Sequence, residues 1–221
     1  MQNHQQGLID EIARSGSCQV IDDARWNTAL QHFEGSLLWH GVPTTLRAMS
    51  IFADFVSSTA QTPEPDVVVA VSSSGISWGT ATAVQIGRPV AVLRVEPHKY
   101  GPINADVRRY AGHRAWLVDN HCGSGETVDA ARSLLARYGV KLEEVFVVEA
   151  QQRLGGIQAA VLVTDKLQAL LALGYFGTVE RDVVGRFLCE GRQYLNDAEW
   201  VRGVQMHLAQ RPDDCLRKGG V

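Results

Sequence analysis

Hydrophobic positions change their spacing along this chain, and the change divides it into regions. Near the start, Leu8, Ile9, Ile12 and Ala13 recur at helical intervals, with Gly16 as a stop. Residues 17–45 show no clean period. Leu46, Met49, Phe52, Ala53 and Val56 predict one face of a second helix, and Ser57–Pro65 predicts a loop. The pattern then shifts to short apolar runs rich in β-branched residues: Asp66–Val71, Pro89–Val95, Arg114–Asp119, Val145–Glu149 and Ala159–Val163. Helical stretches are predicted between them at Ser77–Ile86 and at Thr127–Tyr138, the latter ending at Gly139. Buried strands alternating with helices predict an α/β fold whose central parallel sheet is covered on both faces. After Gly174 helical spacing returns. Val179, Val183, Val184, Phe187 and Leu188 share a face, and Asn196 with Glu199 forms a capping box for a further helix carrying Trp200, Val201, Val204 and Leu208.

Composition narrows the class. The 221 residues are 45% hydrophobic and 20% charged, which suits a globular core. A net charge of -3 gives no basic excess, so nucleic acid is not expected as a partner. No apolar stretch reaches the roughly 18 residues that span a bilayer. The four cysteines, at 18, 122, 189 and 215, lack CxxC spacing, and the N-terminus lacks a signal-peptide pattern. Both lead to an expectation of a cytoplasmic protein.

In parallel sheets, ligands collect at the carboxyl ends of the strands. Attention therefore falls on Ser72–Gly75, Glu96–Gly101 and Asp119–Thr127. In the last stretch an apolar run ends at Asp119, and Gly123-Ser124-Gly125-Glu126-Thr127 leads into a helix. Amides at a helix start attract an anion, and glycines let a phosphate approach the backbone. A carboxylate just upstream suits the hydroxyls of a neighbouring sugar. The combination reads as a sugar-phosphate site; the competing reading is an ordinary strand-to-helix turn capped by a serine. Neither GxxxxGK[ST] nor a complete dinucleotide fingerprint is present.

The stretch Val118–Thr127 resembles the PRPP-binding motif of the type I phosphoribosyltransferases. Asp66–Gly79, Ala81–Val95, Glu96–Gly101 and Val148–Leu171, with its Gly155-Gly156 pair, resemble the orotate phosphoribosyltransferase branch. The likeness covers about residues 60–172, weakens over 1–59 and is absent from 173–221. It implies three parts: an N-terminal hood (1–59), a phosphoribosyltransferase-like core with a sheet of about five strands (60–172) and a helical C-terminal extension (173–221).

The resemblance also implies roles. Asp119, and Asn120 in place of the family's second acid, would hold the ribose hydroxyls. Gly123, Ser124, Gly125 and Thr127 would cradle the 5-phosphate, with Glu126 pointing outward. Ser73, Ser74, Gly75 and Arg94 would meet pyrophosphate, and Lys99 would serve as a loop cation, with Arg108 and Arg109 farther along the same loop. Val95, His98 and Tyr100 depart from the family pattern. The implied reaction is Mg²⁺-dependent phosphoribosyl transfer from PRPP to a small base or aromatic acceptor by a homodimer. Magnesium would be held through PRPP and water, with no direct protein ligand. The orotate-binding segment of that branch is missing, and Trp26, His32, Trp39 and His40 occupy the corresponding region, so an acceptor other than orotate is expected. A PRPP-binding sensor without turnover is the alternative. His121 and Cys122 read as filler or as a thiol–imidazole pair, Trp78 and Trp116 as core, and Asp22-Asp23 as a turn.

Overall fold

The computed structural model describes residues 2–15, 42–72, 74–95 and 104–175, together with Arg181, Val184 and Leu188. The chain falls into two compact units, one built from the ranges 1–8 and 46–162 and the other from 9–45 and 163–221. The elements are α1 (Gln2–Ser15), α2 (Val42–Thr59), β1 (Val67–Val71), α3 (Gly75–Ile86), β2 (Val90–Leu93), α4 (Ala105–Arg108), β3 (Arg114–Cys122), α5 (Glu126–Arg137), β4 (Lys141–Ala150), β5 (Gln158–Leu162) and α6 (Val163–Ala172).

The first unit contains the expected α/β sheet. Five parallel strands lie in the order β2-β1-β3-β4-β5. All five residues of β1 are buried, as expected for a central strand covered on both sides. On one face Val67, Val69, Val71, Leu93, Leu117, Val145 and Val147 pack with Val107 of α4 and with Val128, Ala131 and Leu135 of α5. On the other face α3 lies close enough to β1 that a Cβ on Gly79 would stand 2.6 Å from the Ala70 Cβ. Trp78 of α3 meets Phe52 of α2 edge to face, with ring centroids 5.6 Å apart. The first half of α1 lies along α2, with Gly7 against the Ile51 side chain.

Several element boundaries differ from the sequence reading. Helix α2 buries Ala48, Phe52, Ala53, Phe55 and Val56, whereas Leu46 is 59% exposed. The helix also runs through Thr59, past the loop start expected at Ser57. There the hydroxyls of Ser57, Ser58 and Thr59 donate back to the carbonyls of Ala53 and Phe55, so residues that read as loop formers bond the helix's own carbonyls. Strand β3 does not stop at Asp119 but continues to Cys122, because β4 extends to Ala150 and supplies ladder partners. Val163 opens α6 and does not close β5.

Glu144 fixes the amino-terminal half of the sheet. Its Oε1 accepts the amides of Gln61 (2.8 Å) and Thr62 (2.6 Å) and the Thr62 hydroxyl (2.6 Å), and its Oε2 accepts the Gln158 side-chain amide. The Trp116 indole donates to the same Thr62 hydroxyl at 3.1 Å. The loop entering β1 is thereby tied to β3, β4 and β5 through one buried carboxylate.

In the second unit, Ile9 and Ile12 of α1 are buried and Arg14 pairs with Glu11. Helix α6 buries Val163, Lys166, Leu167 and Leu170, and the Tyr175 amide closes its end on the Leu170 carbonyl at 3.0 Å. Replacing Glu144 with alanine strands four donors at once. Urea denaturation should show a loss of about 2–4 kcal/mol.

Candidate active site

The strand order reverses direction between β1 and β3: the chain leaves β1 for β2 on one side and later builds β4 and β5 on the other. A reversal of this kind opens a crevice at the carboxyl ends of the two strands. Here it has a definite floor. The β1–β3 ladder ends at Ala70 paired with Val118, while β3 continues against β4 through Asp119, His121 and Cys122. Asp119 is thus the residue at which β3 first outruns its β1 neighbour.

The β1–α3 turn closes tightly onto this point. A Cβ on Gly75 would lie 2.9 Å from the Val118 carbonyl oxygen and 3.0 Å from the Asp119 Oδ1, closer than a side chain can approach. Beside it, the Ser74 hydroxyl donates to the Asn120 Oδ1 at 2.7 Å. The turn expected to meet pyrophosphate and the strand end expected to meet ribose are therefore in direct contact.

Two helices begin at this edge, and neither N-cap residue makes a side-chain capping bond. Ser74 precedes α3 with its hydroxyl committed to Asn120. Gly125, at φ 97°, precedes α5. The Ser124 hydroxyl accepts the Glu126 amide at 3.5 Å, a long contact, so the serine caps this start only weakly. Helix starts without side-chain caps leave first-turn amides for another acceptor. Ser124 and Thr127 are exposed at the α5 start, and Glu126 is exposed as expected. The loop after β4 supports the Gly123–Gly125 turn. The Gln151 amide donates to the Cys122 carbonyl at 3.0 Å, the Leu154 side chain lies against Gly125, and Arg132 of α5 reaches both Asp129 and the Gly156 carbonyl at 3.0 Å.

Asp119 is 4% exposed. Burial pushes its carboxyl up to about 7, against the opposing pull of the Asn120 amide, which donates to Oδ1 at 2.7 Å. A buried acid poised near neutrality is a common mark of a site built to receive a ligand.

Arg94 is exposed just beyond β2. It follows Leu93, whose carbonyl accepts the Ser72 amide at 2.8 Å, so it stands beside the β1 turn. Arg108 ends the short helix α4, and Arg109 begins the turn that follows it. Arg108 lies over the Tyr138 ring, 4.8 Å from its centroid, and Arg109 is 3.6 Å from Asp106. Trp78 and Trp116 are core residues, and Cys122 is buried, where apolar surroundings push its thiol up. Ser73, Lys99, His98, Tyr100, Asp22, Asp23, Trp26, His32, Trp39 and His40 lie outside the described residues, as do the expected helices near the C-terminus apart from Arg181, Val184 and Leu188. Among the described residues no group of three or more His, Cys, Asp or Glu side chains is placed to hold a metal ion, and no helix is long and apolar enough to cross a membrane.

Sequence reading did not find Asn104, the Ser74–Asn120 bond or the supporting loop at 151–157. Only Asn104, an asparagine directly ahead of a helical turn, carries a local signal of its left-handed backbone.

The fold is that of the type I phosphoribosyltransferases. Among solved structures, the chain is similar to the UMP synthase of Leishmania donovani, with a TM-score of 0.60 and 15% identity over 83% of this chain and 42% of that one. It thus spans less than half the length of that protein. It is also similar to orotate phosphoribosyltransferase from Aeropyrum pernix (TM-score 0.49, 15% identity, 65% of this chain and 82% of that one). A third similar structure is adenine phosphoribosyltransferase from Thermoanaerobacter pseudethanolicus (0.47, 16%, 57% and 84%). No protein-family profile and no curated protein matches the chain in sequence.

The Asp119 carboxyl sets a pH dependence. Its folded value of about 7 lies above the ordinary 3.8, so the folded state holds a proton that the unfolded chain releases. Stability should fall as pH rises from about 4 through about 7, by up to about 4 kcal/mol, and then level off. Asp119→Asn should remove that slope and unfold at higher denaturant than the parent at pH 8, as followed by fluorescence across a pH series.

Proposed function

We propose that the chain transfers a phosphoribosyl group from PRPP to a small base or aromatic acceptor other than orotate. One observation carries the reading: a buried carboxylate sits where β3 outruns β1, between two helix starts that lack side-chain caps, an arrangement suited to a pentose with an anion at each end. The 5-phosphate would take the amides and hydroxyls of Gly123, Ser124, Gly125 and Thr127. The ribose hydroxyls would donate to Asp119 and meet the Asn120 carboxamide. Pyrophosphate would lie against Ser73, Ser74 and Gly75, with Arg94 and Lys99 supplying positive charge.

Displacement at the anomeric carbon breaks its bond to the pyrophosphate oxygen and forms one to the acceptor. Positive charge builds on the ribose ring as the bond stretches, and ionised Asp119 in a poorly solvated setting is placed to stabilise it. Hydroxyl donors from ribose favour that ionised form, so donor binding and charging of Asp119 support each other. The Ser74 hydroxyl, which donates to the Asn120 Oδ1 at 2.7 Å, would face the pyrophosphate end in this reading. Magnesium, bound mainly through pyrophosphate and water, would neutralise the leaving group.

A second reading, PRPP sensing without turnover, draws on Asn120. Where the family carries a second acid this chain has a neutral carboxamide, already engaged by Ser74, so Asp119 carries the negative charge of the pair alone. The compartment is proposed to be the cytoplasm, from the cysteine spacing, and the assembly a homodimer, from the resemblance.

Calorimetry with PRPP and magnesium, followed by a pyrophosphate-release assay over a panel of bases, tests both readings. Acceptor-dependent release supports transfer, saturable binding without release supports the sensor, and no heat with either PRPP or ribose 5-phosphate overturns both. Asp119→Asn should lower donor affinity about tenfold or more, the scale expected for losing a charge-assisted pair to hydroxyls. Gly75→Ala, which sets a methyl against Asp119, should weaken PRPP while leaving acid-range stability within about 2 kcal/mol of the parent.

A further inference from the structure

Asn104 stands out among the residues that the phosphoribosyl reading leaves unused. It is 7% exposed, and it is the only non-glycine among the described residues with a positive φ, at 63°. Both ends of its carboxamide are engaged by the residue that follows β2. The Oδ1 accepts the Arg94 amide at 2.7 Å, and the Nδ2 donates to the Arg94 carbonyl at 3.0 Å. The same Nδ2 is 3.3 Å from the Tyr138 hydroxyl at the end of α5. Asn104 thus gives Arg94 the donor and acceptor that a neighbouring strand would give, at a point where the edge strand has none. A buried asparagine held in a left-handed conformation is retained only where its surroundings impose it.

We propose that Asn104 is a positioning residue for the pyrophosphate end of the site, acting through Arg94. The argument rests on the phosphoribosyl reading above. Locking both backbone groups of Arg94 fixes the direction in which its guanidinium leaves the sheet edge, beside the Ser72–Gly75 turn. A guanidinium delivered from a fixed backbone loses less freedom when it binds a polyanion, so the carboxamide acts on pyrophosphate without touching it. The 5-phosphate cradle at Gly123–Thr127 is built on β3 and α5 and does not depend on this lock.

The two ends of the donor can be tested separately. Asn104→Gly accepts φ 63° without strain and removes the carboxamide alone. Titrating the full chain with magnesium pyrophosphate and with ribose 5-phosphate should show pyrophosphate weakened about tenfold and ribose 5-phosphate within about twofold of the parent. In an Arg94→Ala background the same substitution should add nothing further. If Asn104→Gly does not fold, Asn104→Ser carries the same cycle, because it adds no charge and its single hydroxyl cannot engage both backbone groups of Arg94. Unchanged pyrophosphate affinity, equal weakening of both ligands, or additivity with Arg94→Ala would overturn the proposal. A parent protein that binds neither ligand would overturn the phosphoribosyl reading, and this inference with it. A parent that binds both, with an unaffected Asn104→Gly, would overturn the inference alone.

Discussion

The missing side chain at position 75 is the constraint on which the rest of the site depends. With only a hydrogen there, the turn after β1 can settle within about 3 Å of the Val118 carbonyl and the Asp119 carboxylate. Asp119 is buried beside that contact, and burial raises its affinity for a proton. The same turn brings Ser74 within hydrogen-bonding distance of Asn120. The close approach, the buried carboxyl and the link between the two strand ends thus meet at one point. Any larger residue at this position would lift the turn away and return the carboxyl to solvent.

Strand lengths decide where that contact falls. Strand β1 ends at Val71, whereas β3 and β4 run on together to Cys122 and Ala150. The overhang forms a wall on one side of the crevice and leaves the other side to a turn of small residues. The two helices that start here lie on opposite faces of the sheet, so their first-turn amides approach the edge from both sides. Their caps are unusual in the same way: one hydroxyl is diverted to Asn120, and the other N-cap residue is a glycine with no side chain to offer.

Much of this was legible in the chain. Five apolar runs, separated by helical spacing and turn residues, specify a parallel sheet because a strand buried on both faces cannot alternate polar and apolar positions. Asp119 stood out as an acid within such a run, and the Gly123–Gly125 turn as small residues leading into helical spacing. The hydroxyl-rich end of α2 was not legible: Ser57, Ser58 and Thr59 read as loop formers until their bonds to the helix carbonyls are seen. Neither were Glu144 and Asn104. Each acts on partners about ten to eighty residues away in sequence, and a charged or amide side chain read alone gives no hint that it will be buried and fully paired. Position 75 was legible as a small residue, but its near neighbour, the Asp119 side chain of this same chain, was not.

Glu144 secures the end of the sheet opposite to the one that carries Asp119. Its bonds gather the entry to β1 and the flanking strands into a single knot, far from the rim where the turns lie open. Foldability and chemistry are thereby assigned to separate borders of one scaffold. Substitutions along the rim leave the hydrogen bonds of that knot intact, so a change of ligand need not disturb it.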